Sequence, residues 1–360
     1  MREREKWVDA VKGLAIYLVI LGHAIQYATS QDYNYAGNSI FQIIYSFHMP
    51  LFMMMSGYLF AYSMNKYSIK GGMIAKVRGI LVPCISWGII TYLIDLILYR
   101  NQKIGIVAAL DYTYNSNWFL WAVFFTSILA YIFISVFKKK EVSLAILAVI
   151  NFVLPDTPEY FHIQSVRRLL LFFIIGIAIN RIKIMNKLPP KYYWITLTIV
   201  FSIYVCLMIF VLRRGEYFTT QICMLTGIRD AIKIVLNTLM QLTGCFSIML
   251  ILYKIQPKCK LHVIRQLGEN SIVIYVFSGI LFFFLIKDYC RIPEEYRYCI
   301  KAGYVLVISL IITGISYLTA KLINRNKWAN SNDNNLINYI YCSNIKNIKY
   351  SLRYGRERRK

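Results

Sequence analysis

Ten apolar stretches follow one another from residue 8 to residue 322, with no long polar segment between them to build a soluble domain. They are Val8–Ala28, Ile40–Tyr62, Ile80–Leu98, Trp118–Phe137, Val142–Leu154, Leu169–Asn180, Tyr192–Leu212, Ile234–Tyr253, Ser271–Ile286 and Ala302–Leu322. Most approach the roughly 17–25 residues that take a helix across about 30 Å of hydrocarbon. Inside lipid the backbone must satisfy its own hydrogen bonds, and runs this long do so as helices. The expectation is an all-α, polytopic integral membrane helix bundle of about ten transmembrane helices. The fifth and sixth runs are short and could form a re-entrant hairpin, which would leave eight spans. Composition agrees: 58% of residues are hydrophobic and 16% charged, against about 25% charged in a soluble domain. The basic start, Met1–Lys6, leads into an apolar run too long for the h-region of a signal peptide and without a small-residue cleavage site.

Charge sets the orientation. With both termini on one side, that side holds 28 of the 41 Lys and Arg, counting Lys321 at the end of the last span. The opposite side holds 12, and Lys12 lies within the first span. Basic residues concentrate on the cytoplasmic side of a membrane protein, so both termini are expected there. The formal charge of +24 is then mostly topology. It does not suggest a nucleic-acid partner, which would need basic and aromatic residues on a soluble surface. Residues 1–325 read as one transmembrane domain. Residues 326–360, Asn-rich and then basic (RYGRERRK), read as a disordered tail attracted to anionic lipid. Gly-rich phosphate loops and Cys-x-x-Cys metal spacings are absent, so no metal is expected. Of the eight cysteines, Cys84, Cys206, Cys223 and Cys245 read as apolar filling, while Cys290 and Cys299 share one outer loop and could be bonded.

The first span, WVDAVKGLAIYLVILGH, carries ionisable groups where lipid disfavours them. Lys12 and His23 are eleven residues apart, which returns them to one helix face within about 20° and separates them by about 16 Å along the axis. An ionisable group inside a span is by default a functional site. His48, in IYSFHMPLFMMMSGYLF, enters the second span just before Pro50, which removes a backbone donor and permits a kink. His23 lies about 8 Å, and His48 about 12 Å, from the outer ends of neighbouring antiparallel spans, so the two imidazoles are expected at similar depth. Each could instead be a packed core histidine satisfied by a neighbour; two of them with an aligned Lys favour function. His162 and His262 fall in loops and read as solvated.

These residues also carry a likeness. WVDAVKGLAIYLVILGH resembles the opening signature of acyltransferase family 3, the multi-span O-acyltransferases of bacterial surface glycans: a basic residue, ten positions, then His. Lys12 and His23 match it, and Asp9 matches the acidic residue that precedes it. FHMPLFMMMSGYLF is similar to the second-span motif, through His48, Pro50, Ser56 and Gly57. KVRGILVPCISW, with Lys76, Arg78 and Pro83, resembles the basic start of the third span. NWFLWAVFF around Trp118 and LGENSIVIYVFS, which contains Tyr275, fit later motifs. Two positions depart: only Lys76 and Arg78 stand where many members have two arginines three apart, and Ser278 stands where many have His.

The resemblance implies a membrane O-acyltransferase, most simply an acetyltransferase, that uses acyl-CoA and modifies a polysaccharide or glycolipid. Lys12, Lys76 and Arg78 would hold the donor's phosphates near the cytoplasmic face. His23, with an ordinary pKa of about 6.5, would take the proton of a sugar hydroxyl. His48 would orient it or act as a second acid/base. The alternatives are a transporter or flippase of a lipid-linked glycan or acyl compound, or a non-catalytic part of a glycan assembly complex. A transporter would be expected to show paired broken helices in matching halves.

Overall fold

The computed structural model of the chain describes residues 5–29, 35–99, 105–137, 140–153, 162–213, 228–256, 261–293, 295 and 298–325. The proposed tail and Cys223 lie outside them. Among the described residues every regular element is helical, and nine helical segments are long and apolar enough to cross a membrane. They correspond in order to nine of the ten expected spans. The remaining one is α8 (Lys140–Val153), whose apolar part, Glu141–Asn151, is short. The sixth run, expected to be short, is instead a 20-residue helix, α9 (Ile163–Ile182).

Helix α1 (Lys6–Tyr27) is the axis of the bundle, with buried residues on nearly every side, Val8, Val11, Ile16, Val19 and Ile20 among them. A helix apolar all round belongs inside other helices. Packed around it are α3 (His48–Lys66), α12 (Ile228–Ile255), α13 (His262–Glu269), α14 (Ser271–Leu281) and α16 (Tyr298–Arg325). By contrast α11 (Pro190–Arg213) leaves Ile195, Ile199 and Ile203 exposed, an apolar surface suited to lipid.

Without a hydrophobic drive between helices in lipid, close backbone approach carries the packing. On α13 this is done by Gly268, whose missing Cβ would fall 1.9 Å from the Asp9 carbonyl oxygen, and on α1 by Gly13, where it would fall 1.7 Å from that of Ile264. Asn324 near the end of α16 donates to Asn270, at the end of α13. The start of α1 and the end of α16 therefore lie at one face of the bundle, called here the N-terminal face.

The second span is broken: it consists of α2 (Ser39–Tyr45) and α3, with Ser46 and Phe47 between them. Residues 99–117, expected as a loop, hold α6 (Ile106–Ser116), which packs antiparallel along α5 (Val82–Tyr99). It then meets α7 (Trp118–Val136) at Asn117, whose side chain donates to the Cys84 carbonyl. The third span is longer than its apolar core: α4 (Ile69–Lys76), a π-turn (Val77–Leu81) and α5 run on without a gap.

Candidate active site in the membrane interior

The break in the second span is prepared by its sequence. Pro50 is the third residue of α3, within the first turn, where its missing N–H would have no intrahelical acceptor anyway. The backbone at the break is satisfied: Ser46 Oγ donates to Ile43 O at 2.7 Å and meets the Tyr204 hydroxyl at 2.9 Å, and Phe47 O accepts from Leu51 N–H at 2.8 Å and from Cys245 Sγ. Irregular backbone at membrane depth persists only where protein or an aqueous cavity satisfies it.

His48 is the first residue after the break and is 2% exposed. Its Nδ1 lies 2.8 Å from Ile44 O. A carbonyl only accepts, so Nδ1 carries the hydrogen and Nε2 keeps its lone pair. The Tyr45 ring meets the His48 ring edge-on at 4.5 Å and fills the space left by Gly22, where a Cβ would fall 2.7 Å from that ring. Gly22 precedes His23. Tyr45 thus links the stretch of α1 that carries His23 to His48 at the start of α3.

His23 packs against two aromatic rings, Tyr27 at 5.7 Å and Phe282 at 5.9 Å, which also stack on each other at 6.2 Å. Its Nδ1 is buried and has no hydrogen-bond partner among the described residues. Buried polar atoms are nearly always paired, and an orphan needs a reason such as a reacting partner. Phe282 opens a second π-turn (Phe282–Ile286), which continues α14. Such turns are rare and frequent at functional sites. Tyr27, Tyr45, Phe282 and the two π-turns were not legible as site elements, because aromatic residues in an apolar run carry no positional signal.

The remaining expected residues are dispersed. Asp9 is buried in the early turns of α1, favourably near the positive end of the helix. Lys12 is half-buried on α1. Lys76 ends α4 with its Nζ 5.4 Å from the centre of the Phe60 ring, and Arg78 is exposed in the first π-turn. Helix α3 packs against both α1 and α4, so Lys12 stands on a different helix from the other two cations. Phe60 lies between Tyr58 and Tyr62, the two tyrosines that bond Glu5, which places Lys76 near the N-terminal face. Trp118 begins α7, and Phe119 beside it contacts both Tyr275, at 6.2 Å, and Phe52, at 5.8 Å. Trp118 and Tyr275 thus belong to an aromatic seam joining α7, α14 and α3 one turn from His48. Ser278 is sealed, its hydroxyl spent on the Tyr275 carbonyl of its own helix.

One expectation fails at His162, which is not solvated. It is buried and stacked on Tyr114 at 4.2 Å, with Nε2 2.9 Å from Tyr114 O. This contact fixes α9 to α6, a helix the sequence reading left as loop. His262 is exposed as expected, and Cys290 and Cys299 are both free thiols.

The fold is that of a polytopic helical membrane protein, with His48 opening α3 at the break in the second span and His23 set against aromatic rings on α1. The chain matches the Acyltransferase domain family over residues 5–339 and belongs to it. It is an integral membrane acyltransferase. Among known proteins it is similar to nodulation protein NolL of Mesorhizobium japonicum, 23% identical over 331 residues that cover 87% of this chain and 85% of that protein. It is also similar to nodulation protein NolL of Sinorhizobium fredii, 28% identical over 177 residues, 48% of each chain. No solved structure gives a significant match.

Proposed function

We propose that this acyltransferase moves an acyl group, acetyl most simply, from cytoplasmic acyl-CoA to a hydroxyl of an envelope polysaccharide or glycolipid. The proposed setting is a bacterial plasma membrane with both termini cytoplasmic. The observation that carries the reading is His23: a partly buried imidazole whose buried Nδ1 has no hydrogen-bond partner among the described residues, on the helix that packs against α3 and its His48.

In the proposed reaction the acceptor hydroxyl oxygen attacks the thioester carbonyl carbon while its proton passes to a neutral imidazole, His23 first. The carbon–sulfur bond breaks, the departing thiolate takes that proton, and the products are an ester and the free thiol of CoA. A positioned general base contributes typically about 10²–10⁴-fold. His48, with its tautomer set by Ile44 and its lone pair on Nε2, is suited to serve as the second acid/base. Lys12, Lys76 and Arg78 would hold the anionic end of the donor. An acyltransferase has no need of the transport alternative.

Mass spectrometry of surface glycan from cells with and without this protein tests the reading. Ester-linked acetyl groups lost with the protein and restored with it would support the reading. An unchanged acyl pattern would overturn it.

A further inference from the structure

The imidazole of His48 is held at Nδ1 by Ile44 O. A contact at one corner leaves the ring free to tilt about it, and the torsion that turns an imidazole has broad wells. Its plane is therefore set by what packs against it. That neighbour is Tyr45, whose ring meets the His48 ring edge-on, at 4.5 Å and 62°.

Tyr45 is the last residue of α2, a helix of only seven residues, too short to be rigid by its backbone alone. Two side contacts hold its ring instead. Phe41, one turn earlier and itself buried, stacks on it at 3.9 Å. From α1, Gly22 receives it: a Cβ there would fall 2.7 Å from Tyr45 Cε2 and 3.6 Å from Cδ2 and Cζ. Carbon atoms pack at about 3.5–4.0 Å, so nothing larger than hydrogen fits at position 22 while Tyr45 keeps its place. A glycine inside a helix weakens it, and here the approach of the Tyr45 ring gives it a reason. Contact thus passes from Gly22 to Tyr45 to His48, and Gly22 is bonded to His23. The turn of α1 that carries one imidazole sets the plane of the other.

We propose that Tyr45 is a positioning residue for acyl transfer: seated on Gly22, its ring fixes the orientation of the His48 imidazole. This rests on the acid/base role given to His48 above. The ring, not the hydroxyl, supplies the contact. Alanine at position 22 would push the half-buried Tyr45 off its seat by about 1 Å, and a misplacement of that size can cost about 100-fold in rate.

The full chain in lipid nanodiscs, carrying isotope-labelled histidine, tests this by magnetic resonance. With four histidines in the chain, loss of a signal set in His48→Asn identifies His48. Tyr45→Leu and Gly22→Ala should shift or broaden the His48 signals and leave those of His262 unchanged, while Tyr45→Phe should resemble wild type. Membranes supplied with radiolabelled acetyl-CoA give the second readout, base-labile label in surface glycan. Its rate should fall by about 10- to 100-fold in Tyr45→Leu and in Gly22→Ala, with CoA affinity by calorimetry unchanged. Tyr45→Phe should stay within a few-fold of wild type. Gly22→Ala should cost little more once residue 45 is leucine, because the two act through one contact. Wild-type His48 signals in both Tyr45→Leu and Gly22→Ala would overturn the assignment, as would wild-type rates in both. So would an equal loss in Tyr45→Phe, or a full Gly22→Ala penalty in the Tyr45→Leu background. If wild-type membranes incorporate no more label than membranes lacking the protein, the proposed reaction is wrong and the assignment falls with it. Normal labelling that ignores both variants removes Tyr45 alone.

Discussion

Gly57 of α3 and Gly176 of α9 each press directly on the other helix's backbone. A Cβ at Gly57 would fall 1.9 Å from Phe173 O, and one at Gly176 2.0 Å from Met54 O. The contact lies on the same helix that begins with His48, so it fixes the element that carries that imidazole. Gly57→Leu and Gly176→Leu should lower stability by at least the roughly 1–3 kcal/mol typical of overpacking. Thermal unfolding of each variant in detergent is the check; midpoints equal to wild type would show that the helices separate freely.

His48 offers a cleaner separation of structure from chemistry. Asparagine at this position can still donate to the Ile44 carbonyl but has no counterpart of Nε2. His48→Asn should therefore insert and unfold like wild type while acyl transfer falls by about 100-fold or more, the scale of a lost general acid or base. Activity within a few-fold of wild type would reduce His48 to a helix-break fastener.

The cations should differ in weight. Lys12 is half-buried on the helix that carries His23, whereas Arg78 is exposed. Lys12→Ala should weaken CoA binding by about 1.5–3 kcal/mol, as for a hydrogen bond to a charged group. Arg78→Ala should cost less, about 0.2–1 kcal/mol, because exposed ionic contacts are screened. Lys12→Arg should keep much of the affinity, since phosphate accepts either cation. Calorimetry with CoA would decide the order, and an Arg78 effect larger than that of Lys12 would contradict it.

The charge bias predicts that reporter fusions at Lys140 and Lys360 both report the cytoplasm. Opposite locations would require an odd number of crossings between them.

Much of this fold was legible because lipid leaves few choices. Long apolar runs must be helices, and Lys12 and His23 share a face by helical arithmetic alone. His48 at similar depth followed from counting residues on two antiparallel spans. The rest depended on tertiary contact. Nothing local marks α6 as a helix of the bundle: IVAALDYTYNS is only moderately apolar, and it is held through Gly88 against Thr113 and through His162 on Tyr114. His162 was misread for the same reason, since its burial depends on a partner 48 residues away. The π-turns add one residue to a helical turn without a sequence signature, so Phe282 beside His23 could not be foreseen.

The central claim is that the partly buried imidazole of His23 does proton chemistry in acyl transfer. The most direct measurement is the ester-linked acetyl content of surface glycan in cells carrying His23→Ala, with the variant's membrane level and thermal unfolding midpoint matched to wild type. The account predicts a folded, inserted protein and acetylation at the level of cells lacking it. Acetylation near the wild-type level in that variant would contradict the account.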